Sequence, residues 1–249
     1  MEDSAYELMY ESELNHWWDK GRRKIALSLI KKYSRASGMK QKILDLGCGT
    51  GAMAKEIEAI GEYYGVDVSE RAVNLCKKRG IKNIEQGDAL CIPHANDQFD
   101  VVLALDVIEH VKDDIGAIAE MRRVLRSGGT VIVTVPAFKF LWGPTDIFFH
   151  HYRRYRLHEL KSKIERSGFS VFKSSYFNTF LFPPVFLVKL LMKGFHLPMK
   201  LENEVSRNVI NDIWIVNKIL YGIFFLESVL LKYVNFPFGI SAVVIGRKD

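Results

Sequence analysis

At 249 residues, with 48% hydrophobic side chains, the chain is long enough for one large α/β domain, and this composition excludes a disordered or low-complexity protein. Its three cysteines (Cys48, Cys76, Cys91) lack metal-type pairing, which argues against a disulfide framework and fits a reducing cytoplasm. A net charge of +6 favours an anionic surface or substrate, a property shared by many enzymes.

The first residues, Met-Glu-Asp-Ser-Ala-Tyr-Glu, are acidic and have no apolar run, so no signal peptide is expected. Residues 1–42 read as helical, because beyond His16-Trp17-Trp18-Asp19 the apolar positions Ile25, Leu29 and Ile30 recur at helical spacing. Two adjacent tryptophans on a helix are not expected to face the same core, so one should cover a pocket or a neighbour. Ile43, Leu44 and Leu46 then read as a short buried strand with Asp45 near its end. Gly47, Gly49 and Gly51 form a turn, and a helix is expected from Ala52. Glycine belongs where the backbone takes a positive φ or approaches a ligand closely. A strand, a glycine loop and a helix start also suit an anionic ligand group. Gly47-x-Gly49-x-x-Ala52 satisfies the dinucleotide pattern, with Asp67 downstream.

From here strand and helix signals alternate, which predicts a parallel sheet with helices on both faces. Tyr63–Val68 is the second strand, with Asp67 near its carboxyl end. A helix over 69–79 starts at Ser69 and stops at Gly80. Asn83–Gln86 is a short third strand before Gly87-Asp88-Ala89. Phe99–Leu105 is a near-continuous apolar strand from the middle of a sheet. It runs into Asp106-Val107-Ile108-Glu109-His110, at the sheet edge where ligands bind in such folds. A helix over about 113–125 is closed by Ser127-Gly128-Gly129, and Thr130–Val135 is the fifth strand.

Asp45-x-Gly47-x-Gly49-x-Gly51, together with Phe99-Asp100, His110-Val111 and Arg123-Val124-Leu125-x-x-Gly128-Gly129, resembles the class I S-adenosylmethionine (SAM) methyltransferases. The pattern resembles the ubiquinone and menaquinone biosynthesis group and its small-molecule relatives, and the likeness covers roughly residues 40–136. The resemblance implies a Rossmann-like seven-stranded sheet, SAM as cofactor and S-adenosylhomocysteine as product. It assigns Asp45, Gly47, Cys48, Gly49 and Gly51 to the methionine part, Asp67 and Val68 to the ribose, and Asp88 and Ala89 to the adenine, with Leu105 beside them. A carboxylate at Asp45 suits an ammonium and a sulfonium, whereas a diphosphate would be repelled there. Two other readings stay open: an NAD-linked oxidoreductase, and a SAM-binding or membrane-adaptor protein without turnover. Trp17, Trp18 and Arg22 would act as a lid, with aromatic faces toward the sulfonium and Arg22 toward the cofactor carboxylate, or else the two tryptophans clamp the N-terminal helix onto the domain.

Asp106-x-x-Glu109-His110 also matches the Glu-x-x-Glu-His cluster of the ubiquinone O-methyltransferases, which is associated with a divalent metal. Asp in the first place shortens the reach, so no metal is expected: His110 faces the acceptor or is purely structural, with Asp106 beside it and Glu109 orienting a neighbour or capping the next helix. Residues 136–156 form a long aromatic connection. There Trp142, Phe148, Phe149, Tyr152 and Tyr155 supply an apolar acceptor pocket, while His150, His151 and Tyr152 join His110 as candidate bases. Arg153, Arg154 and Arg156 suit a carboxylate or phosphate on the acceptor, or else form a solvated basic edge. The segment holds no further nucleic-acid motif, so no nucleic-acid partner is expected.

Leu157–Gly168 reads as an amphipathic helix and Phe169–Tyr176 as the sixth strand. Two apolar helices, Phe180–Met192 and Ile213–Leu231, follow, joined by a polar connector around Lys200–Asn211. Neither is a clean bilayer span. They are read as a helical cap, a dimer surface or an interfacial membrane anchor. Ile240–Ile245 is the last strand, and the resemblance implies that it sits antiparallel between the fifth and sixth. The organisation is thus a helical lid (1–42), a SAM-binding domain (43–177), an apolar helical insertion (178–236) and a closing strand (237–249). The expected partner is a small, partly hydrophobic acceptor. The chain is expected to be a cytoplasmic monomer or homodimer, with contact at a membrane surface left open.

Overall fold

The computed structural model describes residues 3–34, 40–194 and 214–249 of the protein. Its strands are β1 (Gln41–Leu46), β2 (Gly61–Asp67), β3 (Ile84–Gln86), β4 (Phe99–Leu105), β5 (Leu125–Pro136), β6 (Phe169–Phe177) and β7 (Ser241–Lys248). They form one sheet of order β3-β2-β1-β4-β5-β7-β6. The first five strands pair in parallel. β7 runs antiparallel to both of its neighbours, β5 and β6, as the sequence reading expected. The strand order reverses between β1 and β4, so a crevice opens beyond their carboxyl ends.

The continuous apolar runs in these strands reflect burial on both faces. In β1 and β4, Leu44, Leu46, Val102 and Ala104 face one layer, built on α5 (Asp114–Val124) and α7 (Leu157–Arg166). Their neighbours Ile43, Val101 and Leu103 face the other layer. That second layer is built on α2 (Trp17–Tyr33), α3 (Ala54–Glu58), α4 (Glu70–Lys78) and α9 (Trp214–Leu230). Alternation of side chains across a strand requires this division.

Three expectations change. The helix after the glycine loop, expected from Ala52, is only Ala54–Glu58. The left-handed Gly51 and the bond from Gly51 N–H to the Cys48 carbonyl (3.0 Å) delay its start, and β2 begins three residues after its end. The turn at Ser127-Gly128-Gly129 lies inside β5 as a bulge, because β5 pairs Leu125 with Phe99 and then Thr130 with Val101. Trp17 and Trp18 do share one neighbour. Their rings cross edge to face at 5.7 Å, and both lie against Phe224 of α9, at 5.7 and 5.5 Å. Gly21, one turn on, lets α9 approach, since a Cβ there would lie 2.5 Å from the Phe224 ring. The apolar insertion thus clamps the N-terminal helix to the sheet, and its first helix is α8 (Phe182–Gly194). The polar connector expected at 200–211 lies outside the described residues. No helix among the described residues is long and apolar enough to cross a membrane.

Candidate active site

The tips of β1, β2, β4 and β5 converge on the crevice. After β1 the backbone turns through Gly47, Gly49 and Gly51, with φ of 67°, 55° and 79°. A Cβ at Gly47 would also lie 2.6 Å from Val107. Both the conformation and the space therefore demand glycine. Gly47 and Cys48 donate their N–H groups to the Val66 carbonyl of β2, at 2.7 and 3.1 Å, which fixes the loop beside the second strand.

Two buried carboxyl groups flank this loop. Asp67 accepts the Gly49 N–H at 2.9 Å and the Ser69 N–H at 3.0 Å. It also accepts the phenol of Tyr6 at 3.2 Å, from α1 (Asp3–Ser12). Asp45 accepts the Tyr63 hydroxyl at 3.1 Å, and burial pushes its carboxyl up to about 7. Asp45, Gly47, Cys48, Gly49 and Leu105 line one cavity with Arg22. Met9 and Glu13 close the same cavity from the N-terminal segment, and Thr134 and Phe177 line it from β5 and β6. Glu13 is buried, bonded to the Thr50 hydroxyl and ion-paired to Arg79 at 2.9 Å. Its acidic helical context gave no sequence signal of this role.

The remaining cofactor candidates lie further out. Val68 is largely exposed and Ala89 is buried. Asp88 is exposed and accepts the Leu90 N–H at 2.8 Å. Trp17 and Trp18 do not line the cavity, being occupied with Phe224. Arg22 does line it, but its guanidinium is bonded to Asp106. Asp106 has a left-handed backbone (φ 58°) and accepts the Thr134 hydroxyl at 3.2 Å.

Beyond Asp106 lies a second cluster. Glu109 is fully buried, and neither carboxylate oxygen finds a partner in another residue. Burial holds its carboxyl well above the usual range. The His110 and His151 rings cross edge to face at 4.5 Å. One ligand atom from each of Glu109, His110 and His151 lies within 4.8 Å of the others, a set able to hold a divalent cation. Asp106, the first member of the sequence cluster, is not in this set. Burial, with His151 adding to it, brings His110 down to about 4, so its imidazole is neutral at pH 7.

The aromatic loop supplies a residue that the sequence reading missed. Asp146, in α6 (Pro144–Phe148), is fully buried and lies 2.8 Å from His151 Nδ1. Arg154 grips the same carboxylate with two bonds of 2.7 and 2.9 Å. Burial alone would raise the Asp146 carboxyl, but the bonds from His151 and Arg154 bring it down to about 2. An Asp five residues before a His and eight before an Arg was the available signal. The Tyr152 N–H donates to the Glu109 carbonyl at 2.8 Å, tying this loop to the β4 tip. The Tyr152 side chain itself is 59% exposed, and His150 is exposed with φ 55°. Arg153 is paired with Asp114 at 2.9 Å and donates to the Lys112 carbonyl, so its charge is answered within the fold. Trp142 is partly buried, its carbonyl accepting from Lys189 of α8 at 3.3 Å.

Residues 44–133, which carry β1 through most of β5, match the family model described as a methyltransferase domain. That stretch of the chain is similar to the family, and the match covers about a third of the chain's length. The sheet is that of the class I methyltransferases, and a SAM-dependent methyltransferase structure from Thermotoga maritima overlays 99% of this chain and 96% of its own at a TM-score of 0.61 and 19% identity. Phosphoethanolamine N-methyltransferase 2 of Haemonchus contortus, solved with SAM, overlays 90% of this chain and 52% of its own at a TM-score of 0.55 and 18% identity. The chain is 33% identical over 128 residues to a demethylmenaquinone methyltransferase of Staphylococcus aureus, covering 46% of this chain and 52% of the relative. It is 30% identical over 142 residues to a ubiquinone biosynthesis O-methyltransferase of Aromatoleum aromaticum, covering 50% and 59%. The chain thus spans little more than half the length of these relatives.

Proposed function

We propose that this chain is a SAM-dependent methyltransferase that methylates a hydroxyl of a small, hydrophobic, aromatic acceptor. The observation that carries the reading is the left-handed glycine loop of Gly47, Gly49 and Gly51 set between two buried carboxyl groups, Asp45 and Asp67. Asp45 meets the cationic end of such a cofactor, and Asp67 meets a sugar hydroxyl. The Tyr6 phenol already bonded to Asp67 offers the same O–H donor that a ribose would. SAM supplies an electrophilic methyl group, so the chain's own task is to align the acceptor, exclude water and remove a proton. Asp146 holds His151 from Nδ1, leaving Nε2 as the basic nitrogen, beside the neutral His110. The aromatic acceptor is supported by the rings around this cluster, and by two relatives named for demethylmenaquinone and ubiquinone. Titration calorimetry with SAM, S-adenosylhomocysteine and NAD tests the cofactor. Micromolar binding of NAD alone would overturn the reading.

Binding should also depend on pH. Because the Asp45 carboxyl is raised to about 7 in the fold, its ionised form is scarce at pH 6 and dominant at pH 8. Its negative charge costs stability as pH rises from the unfolded value through 7, and a cationic ligand recovers that cost. Affinity for SAM should therefore rise roughly tenfold from pH 6 to pH 8, with proton release on binding near pH 6.5. Calorimetry in buffers of different ionisation enthalpy reads both, and Asp45→Asn should flatten the profile. Tyr6→Phe removes a donor that competes for Asp67, and should tighten SAM binding roughly fivefold, seen as a faster association rate in stopped-flow fluorescence.

A further inference from the structure

The insertion presents an apolar face that the proposed reaction does not use. On α9, Ile219, Phe225, Leu226 and Val229 recur at helical spacing and are 39% to 59% exposed. Tyr233, just past the helix, continues this stripe at 76% exposure. The opposite stripe, Phe224, Glu227, Ser228 and Leu231, is buried. Glu227 is the sole acidic residue of α9, and it turns inward to accept the Thr179 N–H at 3.0 Å. Cations border the outward stripe instead. The Lys24 ammonium lies 5.3 Å from the Phe225 ring centre, and that of Lys32 lies 4.0 Å from Tyr233. Helix α8 has the same character: Phe186, Leu187, Leu190 and Leu191 are 41% to 55% exposed, and its sequence contains lysine and no acid.

Exposed apolar area of this extent marks an interaction surface. Neither helix is long and apolar enough to cross a bilayer, so burial in lipid would be partial and from one side. We propose that the outward face of α9 docks on the surface of an anionic phospholipid bilayer. The apolar side chains enter the headgroup–acyl boundary, while Lys24 and Lys32 sit at the level of the phosphates. Charge decides between this occupant and a second copy of the chain. A two-fold dimer through this face would set the lysine rim against its own symmetry mate, whereas anionic lipid answers it. The inference deepens the proposed acceptor class and rests on that reading for its purpose, because a hydrophobic acceptor resides in lipid. Its evidence is separate from the cofactor site.

Cosedimentation of the full chain with large unilamellar vesicles tests it, comparing phosphatidylcholine alone with an equal mixture of phosphatidylcholine and phosphatidylglycerol. Binding should require the anionic lipid and fall with added salt. The double variant Leu226→Glu/Val229→Glu should lose at least about tenfold in partitioning, and so should Lys24→Glu/Lys32→Glu, since each acts on one of the two contributions. Affinity for S-adenosylhomocysteine, measured on the same samples, should hold within about twofold, which shows that the fold and cofactor site are intact. Absence of vesicle binding by the wild type overturns the proposal, as does binding that both variants retain. A stable dimer in sedimentation velocity that Leu226→Glu/Val229→Glu dissociates would assign the face to a second copy instead. Failure of SAM binding with vesicle binding intact would overturn the enzyme reading and leave this one standing.

Discussion

Asp67→Ala should weaken SAM binding by about a hundredfold while the chain stays folded. The carboxylate is the hub of the β2 tip, holding the Gly49 N–H at 2.9 Å and the Ser69 N–H at 3.0 Å from two different loops. Hydrogen bonds to a charged group contribute about 1.5–3 kcal/mol each, and a ribose diol makes two. A hundredfold loss corresponds to about 2.7 kcal/mol, just under the roughly 3 kcal/mol minimum for two such bonds, because ribose hydroxyls regain water when the carboxylate is gone. The fold should tolerate the change, because Gly47 and Cys48 still donate to Val66 and hold the glycine loop without Asp67. Calorimetry gives the affinity, and circular dichroism with a thermal melt gives the fold. An affinity within threefold of wild type would mean that the diol site lies elsewhere.

His151→Gln should lower turnover of a hydroquinone acceptor by about a hundredfold or more, the usual share of a general base, with S-adenosylhomocysteine affinity within about twofold. The base needs one fixed tautomer, and Asp146 at 2.8 Å from Nδ1 provides it. Asp146→Asn should therefore also lower turnover, but it leaves Arg154 with a weakened partner, and the loop could loosen with it. Nitrogen NMR of His151 in the wild-type protein separates the two effects, since a proton resident on Nδ1 is expected whatever the variant does. His110→Ala is the informative contrast. If His151 is the base, this change should cost less turnover than His151→Gln, and both should leave the cofactor affinity alone. A His151→Gln enzyme with wild-type turnover would remove the imidazole from the chemistry.

The sheet could be read from sequence because each strand carried its own local signal. The run from Phe99 to Leu105 announces burial on both faces, and Ser69 and Gly80 bracket a helix with their own cap and stop chemistry. The glycine loop was readable for the same reason, since positive φ is a demand on a single residue and leaves its mark at that residue. The aromatic segment was not. Arg153, Arg154 and His151 carry the same residue types whether they meet a ligand or the fold's own carboxylates. Only the placement of Asp114 and Asp146 answers that question. Trp17 and Trp18 erred in the other direction. On a bare helix they diverge, yet a single phenylalanine from the far end of the chain packs against both rings.

By itself, then, the amino-acid order determined the alternation of strands and helices, the left-handed glycine loop and the acidic residues at the first two strand tips. These are properties of short segments, set by side-chain period, turn geometry and the lack of a Cβ. Tertiary structure decided which charges stay available and which are answered. Arg22 meets Asp106, Arg154 meets Asp146, and Glu109 is left buried against two imidazoles from segments some forty residues apart. The physical reason is that a charge's role depends on what lies within a few ångströms of it, and across 249 residues that neighbourhood is made by packing rather than by sequence adjacency.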